Sequence, residues 1–184
     1  LKFNGRLIVQ ANGSGPIRFV VAEYVSGEGV RGFAKIDREA VEAVLADNPP
    51  RDTLMERLLG KGAFAMTLDY GPDKDQYQGV VPLEGASLSQ VAEGYFAQSE
   101  QIATSIRLAV APLFDRDAEG HGQTEWRAGA IMIQHLARDG GLTGHKEDEE
   151  TEQPLTQEEK DWEHAAVLLD TVEDHELLDP QVTP

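Results

Sequence analysis

Gly5-Arg6-Leu7-Ile8-Val9-Gln10-Ala11 is followed by Asn12-Gly13-Ser14-Gly15-Pro16, and then by Ile17-Arg18-Phe19-Val20-Val21-Ala22-Glu23-Tyr24-Val25. This stretch decides the fold class. Leu7 and Val9 alternate with Arg6, Ile8 and Gln10, the period of a strand with at least one buried face. The five residues that follow are dense in turn formers. The second apolar run is rich in β-branched and aromatic side chains and reads as the return strand. Ser26-Gly27-Glu28-Gly29 makes another turn, and Val30 to Ile36 is a third strand. The three strands form an antiparallel meander.

Working outward, Asp37 to Ala46 has helical composition, with Val41, Val44 and Leu45 on one side. Asp37 caps it, and Asn48-Pro49-Pro50 ends it. Thr53 to Leu59 is a short helix stopped by Gly60. Ala63 to Tyr70 and Gln76 to Leu83 are strands flanking Gly71-Pro72-Asp73-Lys74-Asp75, a hairpin-type loop. Ser87 caps a helix that runs to about Gln101, with Val91, Ala92, Tyr95 and Phe96 at helical spacing. Ser105 to Ala111 and Arg127 to Leu136 read as strands around a loose acidic loop, Asp115 to Glu125. The fold class is therefore α+β: antiparallel sheets packed with helices, followed by a C-terminal helical region.

The chain has 184 residues, no cysteine and a net charge of −17. That charge argues against nucleic acid, whose phosphates need clustered Lys and Arg, and against an anionic membrane surface. No apolar run is long enough to span a bilayer, and no export signal opens the sequence, so the expected location is cytoplasmic. Leu1 already belongs to an apolar pattern, and the chain is expected to begin inside a longer protein. The acid is uneven. Residues 145–184 hold fourteen acidic and two basic side chains, against nineteen and fourteen in residues 1–144. Composition divides the chain into a core domain (1–138), a flexible acidic linker (139–155) and a helical region (156–184). Thr156 and Glu159 form a capping box. The helix they open carries Trp162, Ala165, Ala166, Leu169 and Val172 on one apolar face, and a second helical turn begins at Asp174.

The motifs favour no catalytic chemistry. Gly27-Glu28-Gly29-Val30-Arg31-Gly32 matches a dinucleotide fingerprint in letters, but it leads into a strand instead of a helix N-terminus. Leu59-Gly60-Lys61-Gly62 lacks the spacing of a phosphate loop and reads as a helix C-cap followed by a strand. His175-Glu176-Leu177-Leu178-Asp179 lacks the second His of a zincin helix. His121, His135, His145 and His164 are scattered, so no metal ligand set is assigned. No G-x-S-x-G elbow exists. Trp126-Arg127-Ala128-Gly129 reads as a strand start whose glycine allows close backbone approach. The acidic run Glu147 to Glu150 lacks EF-hand spacing.

Taken together, several segments resemble the bacterial thirty-three-kilodalton heat-shock protein (33 kDa chaperonin) family of redox-regulated holdase chaperones. They are Leu1-Lys2-Phe3-Asn4-Gly5, Gly13-Ser14-Gly15-Pro16, Val30-Arg31-Gly32-Phe33-Ala34, Leu59-Gly60-Lys61-Gly62, Tyr77-Gln78-Gly79-Val80-Val81-Pro82-Leu83-Glu84-Gly85, Tyr95-Phe96-Ala97-Gln98-Ser99-Glu100-Gln101, and Ala128-Gly129 through Ile133-Gln134. His164 to Pro180 matches the first helices of the family's linker region more weakly. The resemblance implies an ATP-independent chaperone of the stress response that binds unfolding or oxidatively damaged clients and prevents their aggregation, and that also forms a homodimer. It implies a missing N-terminal segment and a missing C-terminal zinc domain. In the family, zinc is held by four cysteines, and oxidation to disulfides releases it. This chain has none of them, so no metal ligand carries over and no cofactor is assigned to it.

Three function classes follow. The first is a holdase whose regulatory or client-binding apolar face is Trp162, Ala165, Ala166, Leu169 and Val172. The alternative from another class is a small-molecule-binding or enzymatic α+β domain with a polar-lined pocket between sheet and helix. The third is an interaction domain whose C-terminal helix binds a partner.

Overall fold

The computed structural model describes residues 4–71, 74–116, 122–136 and 156–179. Two compact units divide at Glu100/Gln101. The composition-based linker, 139–155, lies outside the described residues.

In the first unit, β1 (Arg6–Gly13), β2 (Ile17–Val25) and β3 (Gly29–Ile36) form the expected meander. After the helices α1 (Arg38–Ala46) and α2 (Arg51–Leu59), β4 (Gly62–Asp69) returns to pair with the far side of β1, and β5 (Tyr77–Pro82) pairs with β4. The sheet is antiparallel throughout, in the order β3-β2-β1-β4-β5. β1 is thus the central strand. The sheet's period of two sends Val9 and Ala11 to the same face as Met66, Phe64 and Val81. There α3 (Leu88–Tyr95) contributes Val91 and Tyr95, and α2 contributes Met55 and Leu59, to one apolar core.

Caps fall where the sequence places them. Asp37 accepts from the Ala40 N–H at 3.2 Å, and Ser87 from the Gln90 N–H at 3.3 Å. Gly60 ends α2 at φ 65°, the left-handed region that disfavours a side chain. The two glycine motifs of this unit meet as one backbone contact. Ser14 N–H donates to the Lys61 carbonyl at 2.9 Å and Gly15 N–H to the Leu59 carbonyl at 2.8 Å. A Cβ at Gly13 would collide with the Leu59 carbonyl oxygen, and one at Gly62 with that of Asn12. The helix opened by Ser87 is not one α-helix to Gln101. It passes into a π turn, Phe96–Glu100, and Gln101 sits at φ 55°. Tyr95 explains the change of pitch: its ring lies over Gly79, and its hydroxyl donates to Glu100 Oε1 at 3.0 Å. Burial, reinforced by the Glu100 carboxylate, pushes the Tyr95 phenol well above its usual value.

In the second unit, β6 (Thr104–Arg116) and β7 (Gly122–Gln134) form an antiparallel hairpin of thirteen residues per strand. This corrects the expected loose loop: β6 continues through Asp115 to Arg116 and β7 already includes Gly122 to Glu125, while residues 117–121 lie outside the described set. Asp115, Glu125 and Pro112 obscure the alternation in sequence, yet Pro112 pairs with Trp126 and Phe114 with Thr124. A two-stranded sheet has only edge strands, where a missing N–H is tolerated. After the acidic segment come α4 (Gln157–Asp170) and α5 (Asp174–Leu178). The Thr156/Glu159 capping box forms as read from the sequence, with Glu159 N–H donating to Thr156 Oγ1 at 3.2 Å and Thr156 N–H to Glu159 Oε2 at 2.7 Å.

Candidate functional site

The hairpin of the second unit has two different faces, set by strand periodicity. One face carries Arg107, Ala109, Arg127 and Gly129, and both helices pack on it. Among the predicted face residues, Leu169 is buried at 5% exposure and Trp162 and Ala166 are half-buried, whereas Val172, also half-buried, lies beyond the end of α4 at Asp170 and not on its face. Ala165 is exposed, which corrects its assignment to this stripe. At 100° per residue it lies on the flank of the line through 162, 166 and 169, and that flank points to solvent. Val167 and Leu168 point outward as well.

Two arginines that the sequence reading gave no anchoring role hold the helices. Arg107 Nε donates to the Val172 carbonyl at 3.1 Å, and its Nη2 lies 3.7 Å from Asp174 Oδ1. Arg127 Nη1 donates to the Leu178 carbonyl at 3.5 Å. Arg107 thus holds the backbone between the two helices, and Arg127 the last carbonyl of α5. Leu178 is buried, and the Leu177 carbonyl sits so close to Gly129 that a Cβ there would overlap it. The close approach read into Gly129 is therefore made to α5. At the other end, the His135 and Trp162 rings lie 5.8 Å apart, and His135 Nε2 is 3.2 Å from Glu158 Oε1. That nitrogen is buried, and its alignment with the carboxylate is not that of a hydrogen bond. Arg107 carried no motif in sequence, and Arg127 entered only within the Trp126–Gly129 strand start; the signal for either as an anchor was a cation within an apolar strand.

The opposite face of the hairpin bears no charge from Thr104 to Phe114 or from Thr124 to Gln134. It carries Ile106, Leu108, Val110, Pro112 and Phe114, facing Met132, Ala130, Ala128, Trp126 and Thr124. Phe114 is 73% and Trp126 74% exposed. Apolar exposure this contiguous marks an interaction surface.

Among the described residues no three His, Asp or Glu side chains gather as a metal site. Zinc of the kind the resemblance implies needs thiolates, and the chain has no cysteine, so its residues do not fit that group. An open depression of about 250 Å³ lies on a sheet face of the first unit, lined by Ile8, Val21, Glu23, Arg31, Gly32 and Phe33. Its two charged groups pair with each other, Arg31 Nε donating to Glu23 Oε2, and that hydrogen bond holds the Glu23 carboxyl below its usual range.

A family model described as Hsp33 protein matches residues 1–184. The chain belongs to the Hsp33 protein family. It is 45% identical over 185 residues to a 33 kDa chaperonin of Caulobacter vibrioides, covering 100% of this chain and 54% of that protein. It is 35% identical over 179 residues to a 33 kDa chaperonin of Photobacterium profundum, covering 97% of this chain and 49% of that protein. A solved structure of the 33 kDa chaperonin of Thermotoga maritima matches this Hsp33-family chain at a TM-score of 0.60 and 21% identity, covering 100% of this chain and 53% of that one. That match supports the α+β fold. The chain spans about half the length of the curated relatives it matches.

Proposed function

We propose that this chain carries the client-binding half of an ATP-independent holdase chaperone. The observation that supports the reading is the uncharged hairpin face around Val110, Phe114 and Trp126, backed on its other side by two short, separately anchored helices. Unfolding proteins expose apolar segments of many sequences. A flat apolar face without directional polar groups accepts such segments without demanding one sequence, and needs no nucleotide chemistry. Release of α4 and α5 would add Ala109, Leu113 and their neighbours to the exposed surface, so the helices regulate how much of it is open. In the family that the sequence resembles, such a release is expected to follow oxidation of a zinc domain. A chain without cysteine does not sense oxidants by that route. The net charge of −17 keeps a protein with such faces dispersed. The reading assigns no enzymatic activity and places the protein in the cytoplasm, with clients and a second copy of the chain as its partners. Among the described residues no helix is long and apolar enough to cross a membrane.

The test is light scattering from a thermally unfolding client enzyme, with and without the folded chain, under reducing conditions and without ATP. The expected result is suppression at near-stoichiometric ratios. A folded sample that leaves the scattering unchanged overturns the assignment of client binding to this half.

A further inference from the structure

The sulfur of this chain is all thioether: three methionines and no cysteine. Folding sorts them by exposure. Met55 is 9% exposed in the core of the first unit, and Met66 is half-buried against the same core. Met132 is 51% exposed on β7. It stands on the uncharged face of the hairpin, opposite Ile106, with Ala130 and Leu108 next along that face. Of the three thioethers it is the most open to an oxidant dissolved in water, and susceptibility follows exposure.

Its position joins that reactivity to the surface that holds clients. A thioether is apolar and pliable, and it adapts to apolar side chains of many shapes. Its sulfoxide is polar and chiral, and it disrupts interfaces that use the thioether. The side chains around it on this face, Ile106, Leu108 and Ala130, offer no hydrogen-bond donor. Covering a sulfoxide there with an apolar client segment strips its water without replacing the lost hydrogen bonds, which opposes binding. Because Met132 is exposed, the same change leaves the folded core untouched.

We propose that Met132 is a modification site of the hairpin face, at which oxidants of the peroxide class convert the thioether to its sulfoxide and weaken client holding. This rests on the holdase reading and adds a chemical control to the same face. The sulfur lone pair attacks a peroxide oxygen, the O–O bond breaks and an S–O bond forms. Sulfur loses two electrons and the peroxide gains them. The transferred oxygen gives its proton to the departing hydroxide, which leaves as water. A methionine sulfoxide reductase returns the thioether, so the control is reversible.

Two measurements on the intact chain test this, with hydrogen peroxide as the probe. Peptide mass spectrometry follows the mass of an added oxygen at each methionine. Met132 should oxidise about tenfold faster than Met55, and faster than Met66. Light scattering from a thermally unfolding client then compares treated and untreated chain after the peroxide is removed. The oxidised chain should need about three- to tenfold more protein for the same suppression, with unchanged circular dichroism. Methionine sulfoxide reductase should reverse the loss. Met132→Leu, compared with its own untreated sample, should show no effect of peroxide. Oxidation of Met55 or Met66 as fast as that of Met132 overturns the site. So does an oxidised chain that suppresses as well as the untreated one, or a Met132→Leu chain that still loses suppression on treatment. In each of these cases, suppression by the untreated chain leaves the holdase reading standing. No suppression by the untreated, folded chain removes both.

Discussion

Single residues decide whether the two helices stay on the hairpin. Gly129 lets the Leu177 carbonyl approach the β7 backbone, and any side chain there overlaps it. Gly129→Ala should therefore destabilise the docked α5 by about 1–3 kcal/mol, the usual cost of forcing a methyl into packed backbone. Hydrogen exchange at residues 174–178 should accelerate while the β1–β5 sheet is unaffected. Tyr95 plays the corresponding part in the first unit, 1% exposed between Phe64 and Phe96 with its hydroxyl on Glu100. Its phenol is raised in the folded chain, so the folded state holds its proton more tightly than the unfolded state does. The associated stability is fully present below the unfolded value near 10 and is lost as pH rises above it toward the folded one. Denaturant midpoints should fall steeply above about pH 10 in the parent chain. Tyr95→Phe should lower the midpoint at neutral pH, through loss of one buried hydrogen bond, and flatten that alkaline slope.

At the scale of elements, α4 is held by a narrow line of side chains. It is too short to persist as a helix on its own surface contacts, and most helical stability comes from tertiary packing. Replacing Leu169 and Val172 by Asp removes buried apolar area and sets charge against the hairpin, costing the docked state about 2–5 kcal/mol. Helix content by circular dichroism should fall, and a dye that reports exposed apolar surface should brighten. Unchanged values for both would mean that α4 is not held by this stripe. Much of this level is legible in the sequence. The Asn12–Pro16 turn between two β-branched runs reveals the meander, and Asp37, Ser87 and Thr156 mark helix starts because capping is a local property of three or four residues. Gly60 was read correctly for the same reason; at Gly129 the close approach was legible but not its partner, the distant Leu177 carbonyl. Non-local pairing was not legible. Nothing in the Arg6–Gly13 segment says that it accepts β4 on its free side, and Pro112 hides the length of a hairpin whose register is set by partners across the turn. The π turn is also invisible locally, because it is imposed by Tyr95 packing over Gly79. The stripe on α4 was read one residue too wide at Ala165, and Arg107 and Arg127 were missed because their partners are backbone carbonyls more than fifty residues away in sequence.

At the scale of the molecule, the chain combines strong negative charge with an apolar hairpin face that folding leaves open. Charge sustains solubility without competing for the same surface, because that face of the hairpin, Ile106 to Phe114 opposite Thr124 to Met132, carries no charged side chain. The central claim is that this face holds unfolding proteins. The most direct measurement compares aggregation suppression by the parent chain with that of Val110→Lys/Phe114→Lys, using Val167→Lys on the outward side of α4 as a control. All three positions are exposed, so the substitutions leave the folded core intact. The account predicts that the hairpin pair loses most of the suppression while the control retains it. Equal suppression by all three proteins, with unchanged circular dichroism, would contradict the assignment of the client-holding surface to the hairpin.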